Sequence, residues 1–191
     1  SLPYTMTEPD LCKKTIKWFA QYGIKYPGTK FVGGIFHSLS NSLSVILLSG
    51  AYYDYFADRH FFLDNEDLYE QMKQILNEVI TSRTPDEPHL YHSIWISDAY
   101  SLGTYHTGSN ICVYRACRCL SRLALEIFDE KEYANQLENE ANAIKNDIEK
   151  YMTVETNGHR IFLEGIASLD PHTKEHMSDE CYRKEMLDQG L

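Results

Sequence analysis

The sequence has little positive charge for its negative charge: 18 Lys and Arg residues stand against 28 Asp and Glu residues, a formal net charge of -10. A nucleic-acid-binding surface needs a basic stripe or patch, so this balance argues against a nucleic-acid partner. The sequence also lacks the run of about 18 uninterrupted apolar residues that a membrane span requires. Its most apolar stretch, residues 35–62, is interrupted by Ser, His, Asn, Asp and Arg. We therefore expect no membrane span.

Cysteines are few and are not paired in the sequence. None of the five forms a CxxC motif, and their odd number does not indicate a disulfide framework. We interpret them as small core residues. A reducing compartment is favoured, although buried thiols also survive elsewhere. No signal peptide is recognisable at Ser1, so the cytoplasm and the periplasm both stay open.

Common ligand-binding signatures are missing as well. The sequence has no P-loop, no GxGxxG and no GxSxG motif. Its histidines do not follow the HxH or HExxH spacing of metal sites. We therefore expect neither a bound metal ion nor an organic cofactor.

What the sequence does contain is the pattern of a helical domain. With 191 residues and 43% hydrophobic content it is long and apolar enough to bury a core, and we expect one helical domain over residues 1–191. Periodicity and capping signals predict helices over residues 7–22, 34–56, 65–83, 109–128 and 130–152, and a last helix from about residue 178. Asn157-Gly158, between two short β-prone runs, predicts a small hairpin within residues 152–166.

The predicted helices alternate in character. The first, third and fifth are amphipathic, whereas the second and fourth are rich in small residues and largely uncharged, which is typical of helices surrounded by protein. Long loops, residues 23–33 and 85–108, lead into the uncharged helices. Because consecutive helices in hairpins are antiparallel, both loops should lie at one end. This predicts an all-α fold, an α/α toroid or half of one with a funnel at that end; the alternative is an irregular helical bundle.

The second long loop has an unusual composition. Residues 88–110, PHLYHSIWISDAYSLGTYHTGSN, contain one tryptophan, three tyrosines and three histidines, with Asp98 in the middle. Long aromatic loops within compact domains are uncommon and are usually functional. We interpret this loop as one wall of a ligand site.

Three stretches resemble the six-hairpin (α/α)6-toroid glycosidases. LLSGAYYDYFADRHFF is similar to a helix end of that superfamily. The stretch from DAYSLGTYHTGSN to NAIKNDI resembles its funnel loop with an inner and an outer helix, and NGHRIFLEGI resembles the strand-like excursion that follows. A full toroid of this kind has twelve helices, and the sequence supplies about half of them. The resemblance therefore implies either that the chain is a fragment of a larger catalytic domain or that some of the repeats are missing.

Asp98 is the first candidate catalytic residue. Glycoside hydrolysis generally needs two carboxyl groups flanking the bond, and the acid needs an apolar setting that raises its pKa. Asp98 has apolar neighbours in the sequence, and the resemblance implies a general acid in the equivalent loop. The alternative is an Asp that forms an Asx-turn or caps backbone amides.

Glu164, in the stretch FLEGI, is the second candidate. It follows an apolar run and precedes a glycine, so it could project into the funnel. The alternative is an exposed or salt-bridged glutamate. The resemblance also leaves open that the catalytic base comes from a more C-terminal repeat.

Sugars bind through aromatic stacking and through hydrogen bonds to their hydroxyl groups. Each candidate contact has packing as its alternative. The candidate substrate-binding residues come from both long loops and the start of the second predicted helix: Trp95, Tyr100, Tyr105, His106, Tyr26 and His37.

The resemblance thus implies a glycoside hydrolase that acts on an oligosaccharide or polysaccharide by carboxylic acid/base catalysis. One alternative is another toroid enzyme, a polysaccharide lyase or a sugar epimerase, which would use a Tyr or His base and cationic neutralisation. The funnel loops offer lysines but few arginines for that. Another alternative is a non-catalytic carbohydrate-binding helical module. The sugar, the linkage, the stereochemical outcome and the oligomeric state stay open.

Overall fold

The computed structural model describes residues 7–22, 35, 38–93, 95–96, 99–100 and 105–166. These residues form helices and short antiparallel strand pairs, so the predicted all-α character with a small β-hairpin is confirmed. The helices are α1 (Pro9–Tyr22), α2 (Leu39–Ser42), α3 (Ser44–Phe56), α4 (Arg59–Leu63), α5 (Glu66–Thr81), α6 (Thr107–Glu126) and α7 (Lys131–Tyr151). The strands are β1 (Trp95–Ile96), β2 (Ala99–Tyr100), β3 (Tyr105–His106), β4 (Thr153–Thr156), β5 (His159–Phe162) and β6 (Gly165–Ile166).

The uncharged helix predicted over residues 34–56 is interrupted. Leu43, with φ -87° and ψ -1°, separates α2 from α3. Serine hydroxyls on both sides bond to backbone carbonyls: Ser42 Oγ donates to Ile35 O at 2.9 Å, and Ser44 Oγ donates to Asn41 O at 2.6 Å. Serine side chains can compete in this way with helical hydrogen bonding, and the Ser44 Oγ bond to Asn41 O accompanies the break. Ala57, in the left-handed conformation with φ 50°, ends α3.

The segment after α3 contains a short helix, α4, that the sequence patterns do not predict. Asp58 caps α4 by accepting a hydrogen bond from Phe61 N at 3.1 Å. Asn65 occupies the cap position of α5, as predicted, but its side chain does not cap that helix. Its Nδ2 instead donates to Phe61 O at 2.6 Å, at the end of α4. The start of α1 also differs, because this helix begins at Pro9 rather than just after Thr7.

Helices α3 and α6 lie side by side at the centre and run in the same direction. Gly50 of α3 is next to Cys119 of α6, and Tyr53 O–H, one turn further along α3, donates at 3.0 Å to Glu126 Oε2, two turns further along α6. A Cβ atom on Gly50 would lie 2.2 Å from Cys119 Sγ. The absence of a side chain at Gly50 therefore lets the two backbones approach, as the small-residue pattern of both helices predicts.

The amphipathic helices surround this central pair. Helix α6 packs against α7, α5, α3 and α2, and α1 packs against α3 and α5. Helix α7 is antiparallel to α6, since Ser121 Oγ donates to Ala134 O at 2.9 Å near one end and Thr107 contacts Met152 at the other. At the start of α5, the ring of Tyr69 stacks on Phe128 with 3.9 Å between centroids. Helix α6 is not uncharged along its whole length, because three exposed arginines lie along one face.

The strands form three two-stranded antiparallel pairs, β1–β2, β3–β6 and β4–β5. The predicted hairpin is β4–β5, and both turn residues, Asn157 (φ 53°) and Gly158 (φ 76°), have the positive φ of a type I′ turn. Strand β3 pairs with β6 through Tyr105–Ile166 and His106–Gly165. Among the residues described, no helix combines the length and apolarity needed to cross a bilayer.

Candidate functional site

The candidate site lies at the end of the bundle where α2 and α6 begin. Residues 90–93 contact both starts. The backbone N–H of Leu39 donates to Ser93 Oγ at 3.3 Å. Asn110, in the first turn of α6, accepts from Tyr91 N at 2.7 Å and donates through Nδ2 to Tyr91 O at 3.0 Å. Helices α2 and α6 therefore begin at the same end, as the alternation of helix character along the sequence predicts.

His106 fixes the start of α6. It occupies the cap position, and its Nδ1 accepts a hydrogen bond from Ser109 N at 3.2 Å. The predicted start at Ser109 was therefore two residues too late, because the His106 imidazole caps an earlier turn. With Nδ1 as an acceptor, the neutral ring carries its proton on Nε2. Burial lowers the pKa of His106, and the Glu164 carboxylate opposes this shift.

Strand pairing brings Glu164 to the same place. The backbone N–H of Thr107 donates to Glu164 O at 2.9 Å, and Thr107 Oγ1 donates to Leu163 O at 2.5 Å. The segment 163–166 is thus fastened across the first turn of α6. Because the Glu164 side chain is exposed, a ligand can reach its carboxylate.

Tyr105 completes this group. It is half-buried in β3, where it also forms an isolated bridge with His92. Burial raises the pKa of Tyr105, with a smaller contribution from the Glu87 carboxylate. The phenol is therefore protonated near neutral pH, so it can donate as well as accept a hydrogen bond.

The other predicted site residues differ in whether the structure describes them. The backbones of Trp95 and Tyr100 are paired in the register of β1 and β2, and the contact of β1 with α2 places this strand pair at the same end of the bundle. Asp98, Tyr26 and His37 lie outside the described residues. The structure thus brings together Tyr105, His106 and Glu164, the last two directly at the start of α6.

Two residues that hold this end in place are absent from the sequence-based prediction. Asn110 is fully buried and bonds to both Tyr91 and the backbone of His106. Glu140 of α7 accepts, through the same oxygen, from Tyr91 O–H at 2.5 Å and from His89 Nδ1 at 2.8 Å. The sequence signal that could have identified them is a polar side chain within the apolar stripe of a helix. Asn110 precedes Val113 by three positions in α6, and Glu140 lies between Leu137 and Ile144 in α7.

These groups differ in how accessible they are. His106 carries an Nε2–H donor but is only 5% exposed, whereas Tyr105 is half-buried and the Glu164 side chain is exposed. In the part of the chain that the structure describes, no three His, Cys, Asp or Glu side chains are grouped so that they could hold a metal ion. Imidazole, phenol and carboxyl groups are suited to hydrogen bonding and proton transfer.

No family model matches the sequence, and a search of the curated proteins also gives no match.

Proposed function

We propose that the chain is part of an α/α-toroid glycoside hydrolase that cleaves an oligosaccharide or polysaccharide by carboxylic acid/base catalysis. One observation carries the proposal: α3 and α6 run parallel, and the starts of α2 and α6 are joined by residues 90–93 at one end. Parallel inner helices with antiparallel outer helices between them are the arrangement that a toroid repeats. Loops preceding the inner helices then line a common funnel.

In this proposal, Asp98 is the general acid and Glu164 is the second carboxyl group. The exposed Glu164 carboxylate lies beside the capped start of α6, where segment 163–166 is held by Thr107. His106 and Tyr105 contact sugar hydroxyls, and Trp95 and Tyr100 provide stacking surfaces. Tyr26 and His37 contribute from the preceding long loop and the residues that follow it. Retention or inversion would follow from the separation of the two carboxyl groups.

A second enzymatic function, a polysaccharide lyase or a sugar epimerase, is favoured by a different observation. Tyr105 is half-buried in β3, and a phenol is one of the groups that can act as the base for removing a proton beside a carboxylate. The Nδ1 lone pair of His106 is already used by the helix cap, so Tyr105 rather than His106 would be the base. In that case Asp98 and Glu164 would be less important than Tyr105.

The test is turnover by the full gene product on a panel of glycosides and uronate-containing polysaccharides. We expect hydrolysis that falls by about 100-fold or more in Asp98→Asn and in Glu164→Gln, because general acid/base groups contribute about that much. Glu155→Gln is the matched control, since Glu155 is an exposed glutamate on β4, and it should retain full activity.

The other outcomes separate the alternatives. Hydrolysis that survives in Asp98→Asn would still identify a glycoside hydrolase but would reject Asp98 as its general acid. Unsaturated products from uronates, lost in a Tyr105→Phe variant, would favour the lyase. Sugar binding with no turnover on any substrate would favour a non-catalytic binding module.

A further inference from the structure

A second concave site lies away from the candidate site, between α3, α6 and α7. We call it the arginine groove, because Arg115, Arg118 and Arg122 of α6 line it. Its volume is about 360 Å³. Its lining also includes Tyr53, Asp54 and Gly50 of α3, Cys119 of α6, and Asn135 and Glu138 of α7. Arg118 is twelve positions beyond His106, which corresponds to about 18 Å along the helix axis. The groove is therefore separate from the candidate site.

The sequence concentrates arginine here. The chain has a net charge of -10 and seven arginines, and three of these seven lie in the groove. They are the only cationic residues of α6. Their spacing places all three on one side of the helix. All three are Arg rather than Lys, and the guanidinium fork matches the oxygens of carboxylates and phosphates in pairs.

Among the residues that the structure describes, the ion pairs of these arginines use only a few of their donors. Asp54 bridges Arg115, at 2.7 Å, and Arg122. Glu138 contacts Arg118 at 2.5 Å, and Glu126 contacts Arg122 Nε at 3.0 Å. Three guanidinium groups carry roughly fifteen N–H bonds, and these contacts use few of them.

The geometry of the groove is also favourable for exchange of partners. The Arg122 guanidinium lies 5.2 Å from the centre of the Tyr53 ring, which holds it in position. The arginine side chains are 44% to 53% exposed, and ion pairs of that exposure contribute little to stability. Replacing a protein carboxylate by a ligand oxyanion therefore costs little.

We propose that the arginine groove binds a small molecule carrying a phosphate group or several carboxylates. Its volume lies within the range of small-molecule sites, roughly 300–1,000 Å³. In the free protein Asp54 and Glu138 occupy the guanidinium groups, and the ligand displaces them. Gly50 and Cys119 form an uncharged floor for the rest of the ligand.

The test is isothermal titration of the full chain with inorganic pyrophosphate and, separately, with citrate, at matched ionic strength because the interaction is electrostatic. We expect saturable binding of at least one of them, weakened tenfold or more in Arg118→Gln and in Arg122→Gln. Asp54→Asn should bind more tightly, because it frees two guanidinium groups at once. Preference for pyrophosphate would identify a phosphate ligand, and preference for citrate a polycarboxylate.

The matched control is Arg160→Gln, an exposed arginine on β5 outside the groove, which should bind like the wild type. A variant whose thermal unfolding midpoint is unchanged reports on binding alone. If Arg122→Gln unfolds, Arg118→Gln alone provides the test of binding. Two results would overturn the proposal. One is the absence of binding by both the wild type and Asp54→Asn. The other is an equal loss in Arg160→Gln, which would indicate a diffuse attraction to surface charge.

Discussion

At the scale of single residues, Asp58 combines several interactions in one carboxylate. Its Oδ2 lies 2.8 Å from Lys13 Nζ and accepts from Tyr52 O–H at 2.7 Å, and its Oδ1 caps α4. The hydrogen bond from Lys13, followed by those from Tyr52 and Phe61 N, outweighs burial and lowers the pKa of Asp58 to about 2. The carboxylate thereby ties α1, α3 and α4 together.

This lowered pKa predicts an acid-sensitive contribution to stability. Because the pKa of Asp58 is lower in the folded state than in the unfolded chain, its contribution is present above about pH 4 and is lost as the pH falls to about 2. Asp58→Asn should lower the free energy of unfolding at pH 7 by about 1 to 2 kcal/mol, allowing for solvent screening. Urea denaturation at several pH values measures this.

The control for this prediction is Asp64→Asn, an exposed aspartate just after α4. It should leave stability unchanged within about 0.5 kcal/mol. The gap between wild type and Asp58→Asn should close as the pH approaches 2. A gap that stays constant with pH would mean that the charge of Asp58 does not contribute.

At the scale of elements, the contact between α3 and α6 depends on Gly50. Alanine would gain about 1 kcal/mol in helix propensity, but its Cβ would lie 2.2 Å from Cys119 Sγ and 2.6 Å from Cys119 Cβ. Overpacking of this kind typically costs about 1 to 3 kcal/mol or more. We therefore expect Gly50→Ala to destabilise the protein by about 1 to 2 kcal/mol in chemical denaturation. In a Cys119→Gly background the same change should cost less, and a stabilising Gly50→Ala would contradict this account.

The segment 88–93 is a second element with a specific anchor. Glu140 accepts from both Tyr91 and His89, and Asp147 Oδ2 accepts from His89 N at 2.7 Å. Since Glu140 is only 13% exposed, losing its charged hydrogen bonds should cost about 1.5 to 3 kcal/mol.

The corresponding experiment is hydrogen exchange on Glu140→Gln. The amides of residues 89–93 should exchange faster than in the wild type, because the segment loses its attachment to α7. Glu132→Gln, an exposed glutamate in the first turn of the same helix, should leave this exchange unchanged. Equal exchange in both variants would show that Asn110 and Ser93 suffice to hold the segment.

Helices were predictable from sequence where a long apolar stripe repeats at helical spacing and the capping residues are close in sequence, as in α5, α6 and α7. The break at Leu43 was not, because it depends on which carbonyl each serine hydroxyl selects. Helix α4 is short, and its stability comes from the Asp58 cap and from Phe61 and Phe62 packing into the core, contacts that local propensity does not reveal. The start of α6 was misplaced because histidine is an uncommon cap.

For the whole molecule, the common end of the two uncharged helices followed from the alternation of helix character. The meeting of Glu164 with His106 did not, since pairing of β3 with β6 connects residues far apart in the sequence, and two-residue strands carry no periodic signal. The arginine groove was missed for a similar reason. The spacing of Arg115, Arg118 and Arg122 was visible, but the helices α3 and α7 that enclose it are set by tertiary packing.

The central position of α6 makes a prediction about the stability of the whole molecule. Leu120 is fully buried there, so Leu120→Ala should lower the free energy of unfolding by about 2 to 5 kcal/mol. Amides of α6 exchange through global opening and should lose the same amount. The hairpin β4–β5 has Val154, Ile161 and Phe162 exposed, so its amides should exchange through local opening and remain unaffected. Native-state hydrogen exchange measures both, and a hairpin that follows α6 would show that the hairpin unfolds only with the core.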